Sequence, residues 1–491
     1  MAKPFGFLGM DFDEFRRKKE KISVDATAAN GLTWENALAA ASRFSGRRTC
    51  SKGQGTKPES KNFQPEAWRE GSFNVCFWVN VEGVEQQWVV RFAKPIAERS
   101  LIKMKLRSEV ATTQFLDQNT RVPVPKVIGY GEGDESIPPF LIMENIDGIR
   151  LTLLWGVNVG PSIVSKLLRS LPEIHHELLS HPFDRIGMLD LPSNNGASPV
   201  FTTPFSLDAL EHCRDGVSPM LYPPFENVSQ YYDYKLEIWN RRLREQRNSV
   251  DSRADALRKF INADIIREFL RQFSDSSQEN GPFYLVHPDI GGNNVIIDPQ
   301  TWTVKAIIDW EGACTLPIAS ALSPPRCIHN LKPIDLLPNS NNFQKFQESL
   351  ELYHHAFYSV GRFLDANRDV EVEHPEVTKH PKWTMPNSLT QGTFCIWAID
   401  DVRDLDQLVW QHIAPELYVE LRQGYHGILS EQRAHEMVDA SQDGLQTLLS
   451  DFVDKLYRSG QYNVGAIDFW VSRKLEDLEA YRDECKVGDL G

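Results

Sequence analysis

The sequence has no uninterrupted apolar run of the ~18 to 20 residues that a membrane-crossing helix needs, and its opening segment, MAKPFGFLGMDFDEFRRKKEK, has no apolar core of the secretory type. The expectation is a cytoplasmic chain with no membrane association. Cysteine is scarce and scattered. Seven lie between Cys50 and Cys485, with no CxxC pair and no histidine cluster at zinc spacing, which argues against a disulfide scaffold or a structural zinc site. A basic surplus is also missing. The formal charge is -14, and residues 1–70 hold thirteen Lys and Arg against nine Asp and Glu, so the remainder carries -18. Such a body repels nucleic acid and favours cationic ligands. The one basic run, 16–19, is flanked by Asp11, Asp13, Glu14 and Glu20 and reads as a solvated helix face. No internal repeat is visible, and with 41% hydrophobic and 24% charged residues the composition is that of a folded protein rather than a disordered one.

At 491 residues the chain is long enough for two lobes or domains. Residues 1–70 read as an N-terminal extension and connector: a possible helix from Trp34 to Phe44, then the Ser-, Gly- and Lys-rich stretch SGRRTCSKGQGTKPESKNFQ. From Ser72 the pattern turns to period two, with Phe73, Val75, Phe77, Val79 and Val81 alternating with polar or large partners. Gly83 interrupts and WVVRF follows, which predicts a β-hairpin feeding a third strand. Residues 98–118 predict a helix, and VPVPKVIGY and FLIMENI further strands, so a small, mostly β lobe spans 71–147. The remainder, 148–491, reads as a large, mostly helical lobe, with YYDYKLEIWNRRLREQR and GLQTLLSDFVDKLYRSG as amphipathic segments. The fold class expected is α+β.

The segment that decides the chemistry runs from Tyr284 to Ala313, YLVHPDIGGNNVIIDPQTWTVKAIIDWEGA. Two short β-branched runs joined by the turn DPQTW follow an irregular loop in which His287, Asp289 and Asn294 occur in that order, and Asp309 closes the second run. Taken singly, these pieces are ordinary turns and a strand cap. Together they match what phosphoryl transfer requires, which is positioning and charge neutralisation more than covalent help. One carboxylate must orient the incoming hydroxyl and accept its proton late, and Asp289 is placed for that. Magnesium wants one or two protein oxygens beside the phosphates, which Asn294 and Asp309 can supply. His287 reads as a brace for the loop.

These motifs resemble the aminoglycoside phosphotransferase and choline-kinase-like family, closest to its large fungal branch, over about residues 65 to 325. VHPDIGGNN and IIDWEG resemble its catalytic and metal-binding loops. GSFNVCFWV resembles the nucleotide-covering hairpin, WVVRF the strand with the phosphate-contacting base, KLRSEVATTQFL the helix with its acidic partner, and PPFLIMENIDG the hinge. The resemblance implies a protein-kinase-like two-lobed fold and transfer of the γ-phosphoryl group of ATP, with Mg2+, to a hydroxyl of a small molecule rather than of a protein. It makes Asp289 the catalytic base, Asn294 and Asp309 the magnesium ligands, Glu109 the acid that holds the basic residue, and the backbone of Glu144 and Ile146 the adenine contact.

Two features depart from the pattern. Arg91 stands where protein kinases carry Lys; it keeps the charge and can pair with Glu109, but its planar fork is not interchangeable with an ammonium, and Lys94 is the alternative phosphate contact. The glycine-rich loop is reduced to Gly71-Ser72-Phe73-Asn74, whose backbone amides and Ser72 hydroxyl can still cradle a phosphate. The pattern does not name the acceptor. In WAIDDVRDLDQLVW, Asp400, Asp401 and Asp404 are predicted to share one helical face, and with Glu311 they are candidates to receive an amine-bearing substrate, while Trp310 and Trp397 are candidates to line its pocket. A nucleotide-binding or scaffold module without turnover is the alternative function, and Arg91 and the thin glycine loop are its support. No A-P-E segment follows IDWEG, which weighs against a protein kinase.

Overall fold

The computed structural model describes residues 31–46, 50–52, 68–154, 160–192, 200–204, 219–273, 276–328, 331–338, 340–368, 391–402, 404–413 and 464–488. The segment GLQTLLSDFVDKLYRSG, the basic run at 16–19 and most of the expected connector lie outside them.

The N-terminal lobe is a six-stranded antiparallel sheet built from β1 (Cys50–Lys52), β2 (Trp68–Glu70), β3 (Asn74–Val81), β4 (Trp88–Ala93), β5 (Val127–Gly131) and β6 (Phe140–Glu144), in the order β1-β3-β4-β6-β5, with β2 also on β3. Period two in β3 sends Val75, Phe77, Val79 and Val81 into a core with Val90, Phe92, Phe140 and Ile142. Helix α1 (Trp34–Ser45) covers that core with Ala37, Ala40 and Ala41 fully buried, and Trp34 meets Phe77 edge to face at 5.0 Å. Three alanines on one helical face let the helix axis lie close to the sheet. Thr33 caps the helix by accepting the Asn36 amide at 3.3 Å.

The reading of 1–70 as extension and connector therefore needs correcting. α1 supplies one wall of this core, and β1 and β2 pair with successive stretches of the same edge of β3 (Cys50 opposite Val81, Trp68 opposite Phe77). The lobe begins before residue 71. Lys- and Ser-rich composition suits an edge strand as well as a connector, because an edge strand buries little.

The opposite face of the sheet looks into a cleft. In register, Arg69 stands across from Cys76, Cys76 from Arg91 and Arg91 from Leu141, so these four side chains share that face. Helix α2 (Arg99–Asn119) lies behind the cleft and is buried on two sides. Its Leu106, Val110 and Leu116 join Leu141 of the first lobe and Ile174, Leu178, Leu285, Ile307 and Trp310 of the second in one continuous core. Arg107 ties the helix further to the second lobe by donating to Asp190 at 3.0 Å and to the Leu191 carbonyl at 3.1 Å.

The second lobe carries β7 (Ile149–Arg150), α3 (Pro161–Leu179), β8 (Pro182–Phe183), β9 (Met188–Asp190), β10 (Val200–Thr202), α4 (Val228–Glu245) and α5 (Arg253–Phe273). These are followed by β11 (Phe283–Val286), β12 (Val295–Ile297), β13 (Val304–Ile307), β14 (Cys314–Leu316), α6 (Asn341–Arg368), α7 (Gln391–Asp400) and α8 (Val464–Gly488). Two three-stranded antiparallel ribbons, β14-β11-β8 and β13-β12-β7, face the cleft, and the helices bury a core around Trp239, Phe269, Phe346 and Trp397. The loops that matter are the connections β11 to β12 and β13 to β14. A small β lobe and a large helical lobe with the loop pairs between them make the α+β, kinase-like two-lobed architecture.

The predicted helical face at 400–404 does not form. α7 ends at Asp400, Asp401 is in the following turn, and Asp404 starts a new helical turn at Leu405–Leu408, its carbonyl accepting the Leu408 amide at 3.0 Å. Val402, fully buried, turns the chain inward at the break.

Candidate active site

His287, 5% exposed, locks the loop after β11. Its Nδ1 accepts the Asp289 amide at 3.0 Å, so the proton sits on Nε2, which donates to the Ile308 carbonyl at 3.0 Å. Burial lowers the His287 pKa, the Ile308 carbonyl and the nearby Asp309 and Asp289 opposing, and its ring packs edge-on against Trp310 at 4.7 Å. With both nitrogens spent, His287 braces the loop, as its setting in the sequence suggests. Asp289 itself is exposed at the cleft.

Asn294, 8% exposed, donates from Nδ2 to the Asp289 carbonyl at 2.8 Å and to Asp289 Oδ2 at 3.3 Å. Its amide orientation is thereby set, and its Oδ1 takes no hydrogen bond among the described residues. The Ile308 amide donates to the Asn294 carbonyl at 2.9 Å, so the two loops are stitched together next to Asp309. Asp309 adopts φ 67°, a left-handed conformation uncommon outside glycine, and its side chain is 42% exposed. That backbone turns the carboxylate back toward the cleft.

Arg91 crosses from the other lobe. It pairs with Glu109, donates to Asp309 Oδ1 at 2.7 Å and lies 3.9 Å from Glu311. Burial works against its charge, but the carboxylates of Asp309 and Glu311 prevail and raise its pKa. Glu311, 2% exposed, is grasped twice more: by Lys105 of α2, and by Asn74 Nδ2 at the head of β3. Lys105, 3% exposed, has its pKa lowered by burial despite Glu311. The cluster thus sets two cations, Arg91 and Lys105, against three carboxylates, Glu109, Asp309 and Glu311. Only Asp309 among them has substantial exposure. The surplus negative charge sits where a cation from solvent can reach it.

Several sequence-derived roles shift on this geometry. Glu311 is a buried contact between the lobes rather than part of an acceptor pocket, and Asn74 binds Glu311. Lys94 pairs with Glu70 at 2.5 Å. Ser72 is exposed and Phe73 half-buried in the covering turn, which is closed by Gly71 donating to the Asn74 carbonyl at 2.8 Å. At the hinge the Glu144 amide is spent on the Lys126 carbonyl at 3.1 Å, whereas the backbone of Ile146 has no hydrogen-bond partner among the described residues. Asn145 holds the hinge to the sheet, accepting from Trp78 Nε1 at 3.1 Å. Lys105 was missed. Its signal is the spacing: it lies four residues before Glu109, on the same face of one helix.

A cavity of about 160 Å3 opens beside the loop after β11, touching His287 and Pro288 and walled by Tyr231, Trp397, Asp400 and Asp401. Asp400 Oδ1 accepts from Ser320 at 2.8 Å, its carbonyl accepts from Lys235 at 3.1 Å, and Asp401 lies 3.8 Å from Arg326. Asp404 and Glu311 do not line it. Trp310 is a core residue, 1% exposed, donating to the Ile307 carbonyl at 3.0 Å.

The sequence profile of the phosphotransferase enzyme family matches residues 69–320. Over 123 residues the chain is 31% identical to altered inheritance of mitochondria protein 9, mitochondrial, of Meyerozyma guilliermondii, covering 24% of this chain and 20% of that protein. Over 397 residues it is 22% identical to a subtelomeric hrmA-associated cluster protein of Aspergillus fumigatus, covering 67% of this chain and 75% of that one. Among solved structures, ADP-bound aminoglycoside phosphotransferase APH(2'')-Ib is 16% identical with a TM-score of 0.35, over 70% of this chain and 91% of its own.

Proposed function

Because the chain belongs to the phosphotransferase enzyme family, we propose that it transfers the γ-phosphoryl group of ATP, with Mg2+, to a hydroxyl of a small molecule. The observation that carries this reading is the arrangement of Asp289, Asn294 and Asp309 on two loops tied to each other and facing the cation Arg91.

The residues fit a magnesium ion. Among the described residues no group of three or more His, Cys, Asp and Glu forms a metal cage, and magnesium does not need one. The exposed Asp309 carboxylate and the uncommitted Asn294 Oδ1 would hold it, and the ion would neutralise charge on the phosphates. The remaining work belongs to the chain. Asp289, held by its own amide on His287 and by Asn294, orients the acceptor hydroxyl and takes its proton, a contribution of about 100-fold to 10,000-fold. Arg91, fixed by Glu109, presents its charge to the phosphates. The backbone of Ile146 receives the adenine edge, with the Glu144 carbonyl beside it, while Ser72 and Phe73 cover the phosphates.

The acceptor enters the cavity beside Pro288, where Tyr231 and Trp397 pack its body and Asp400 answers an amine. Asp404 has no part in it. Among the described residues no helix is long and apolar enough to cross a membrane. The relatives named as mitochondrial proteins favour mitochondria over the cytoplasm expected from the sequence; subcellular fractionation returning a cytosolic pool alone would reverse that.

A second reading, a nucleotide-binding module without turnover, has one observation in its favour: Arg91 occupies the Asp309 carboxylate. Purified chain incubated with ATP, magnesium and a metabolite extract separates the two. Phosphate-shifted products by mass spectrometry support the transferase. Bound nucleotide with neither product nor magnesium-dependent ATP loss would leave the module reading in its place.

A further inference from the structure

Other arginines near the cleft are answered by carboxylates: the buried Arg91 by Glu109 and Asp309, the half-buried Arg107 by Glu132 and Asp190. Two are not. The side chains of the exposed Arg69 and the half-buried Arg150 make no hydrogen bond and no ion pair among the described residues. They come from different lobes. Arg69 sits on β2 directly opposite Cys76, on the sheet face that also carries Arg91, and that face looks onto Asp309. Arg150 sits on β7, opposite Ile296 of β12, the strand that begins immediately after Asn294. Both therefore border the cleft, one from each lobe.

We propose that Arg69 and Arg150 are a two-sided clamp for a phosphate group of the bound ligand, one guanidinium contributed by each lobe. The proposal rests on reading this cleft as a nucleotide site. Arg150 follows the hinge residue Ile146 by four positions and adjoins the strand leaving Asn294, so it lies between the base end and the metal end of that site. The middle of a nucleotide offers two phosphate positions there: the 5′ chain, or a phosphate on the ribose.

Electrostatics agree with the placement. Burial, and after it the charge of Arg69, lower the Arg150 pKa, whereas Cys76 and Asp309 oppose the shift. Cys76 in turn feels Arg91, Asp309 and Arg150 together, which places Arg150 within this cluster. Two like charges that act on one another are unfavourable at any dielectric. A phosphate between them turns that repulsion into two charge-assisted, fork-shaped contacts.

The test is calorimetry on the full chain with adenosine, AMP, ADP and adenosine 3′,5′-bisphosphate, magnesium present, comparing wild type with Arg69→Met, Arg150→Met and Arg150→Lys. Each Met variant should weaken ADP by roughly tenfold, the scale of one charge-assisted contact, and leave adenosine unchanged. Arg150→Lys should recover part of the loss. Without ligand the Met variants should melt at or above the wild-type temperature, because repulsion has been removed; a structural role for either arginine would lower it. A 3′-phosphate gain over AMP that vanishes in the variants puts the clamp on the ribose phosphate, and its absence alongside the ADP loss puts it on the 5′ chain. Unchanged ADP affinity in both Met variants, an equal loss for adenosine and ADP, or a wild type that binds none of the phosphorylated ligands would overturn the clamp. Phosphate-dependent binding lost in the variants of a chain that performs no transfer would keep the clamp and end the transferase reading; transfer with intact nucleotide affinity in both variants would do the reverse.

Discussion

Replacing Glu311 with Gln is the most informative perturbation of the contact between the lobes. Glu311 is the acceptor for Lys105 and for Asn74, and it stands 3.9 Å from Arg91. The change keeps the shape and removes the charge. Lys105 then remains 3% exposed without its salt-bridge partner. Breaking a buried pair in this way costs about 3–5 kcal/mol. There is a natural ceiling: the lysine can give up its proton, and neutralising an ordinary lysine at pH 7 costs about 4–5 kcal/mol.

The ceiling falls as pH rises, which supplies a sign. In the variant the folded-state pKa of Lys105, already lowered by burial in the wild type, drops further below its unfolded value. The unfolded chain then binds more protons than the folded one, so the stability of the variant climbs with pH up to the unfolded lysine pKa of about 10.4. Urea unfolding at pH 7 and pH 9.5 should show the deficit of Glu311→Gln relative to wild type shrinking by a kcal/mol or more, about 1.4 kcal/mol per pH unit at the steepest. A deficit below 1 kcal/mol at pH 7, or one independent of pH, would refute the claim that Lys105 depends on Glu311.

Other outcomes follow from the same geometry. Asp289→Asn should lower turnover by about 100-fold to 10,000-fold with little change in ATP affinity, measured by product formation on a verified acceptor and by nucleotide titration. Asp309→Ala should weaken magnesium-dependent binding of an ATP analogue more than Asn294→Ala does, because a full charge is lost rather than a carbonyl dipole; calorimetry giving equal losses contradicts the ranking. Asp400→Asn should raise the KM of an amine-bearing acceptor and not that of ATP, whereas Asp404→Asn should change neither, since Asp404 lies off the cavity. Trp239→Ala, emptying a fully buried site in the helical core, should cost about 3–5 kcal/mol in urea unfolding.

The turn before β3 is coupled to the loop between β13 and β14 by direct contact. Asn74 leads β3 and bonds Glu311, two residues beyond Asp309, so a displacement of the turn is felt at the Asp309 end of the cleft through one side chain. A wide-open cleft would have to break that bond and separate Lys105 from Glu311 as well. α2, fastened to Asp190 and sharing one core with both lobes, also resists opening. Movement of the first lobe is therefore expected to be concentrated in the sheet rather than in α2.

What local sequence determined here was everything that depends on neighbours a few residues apart. The alternation 73–81 implies β3, the break at Gly83 the turn, and the turn-forming residues around His287, Asp289 and Asn294 the irregular loop between β11 and β12, because strand period and turn chemistry act over short distances. Glu109 and Arg91 are legible as partners only through the resemblance to the family. Tertiary structure decided the rest. Whether 31–46 is tether or lobe depended on a face of three alanines meeting the core face of a sheet farther along the chain. Whether Asp400, Asp401 and Asp404 share a face depended on Val402 finding a buried site and ending the helix. The partners of Glu311 lie 206 and 237 positions away. Charges carry no periodicity that reveals such partners. Their pairing is set by which surfaces the cores bring together, and a carboxylate that reads as a ligand for a substrate becomes, once buried, the counter-ion that holds the lobes in place.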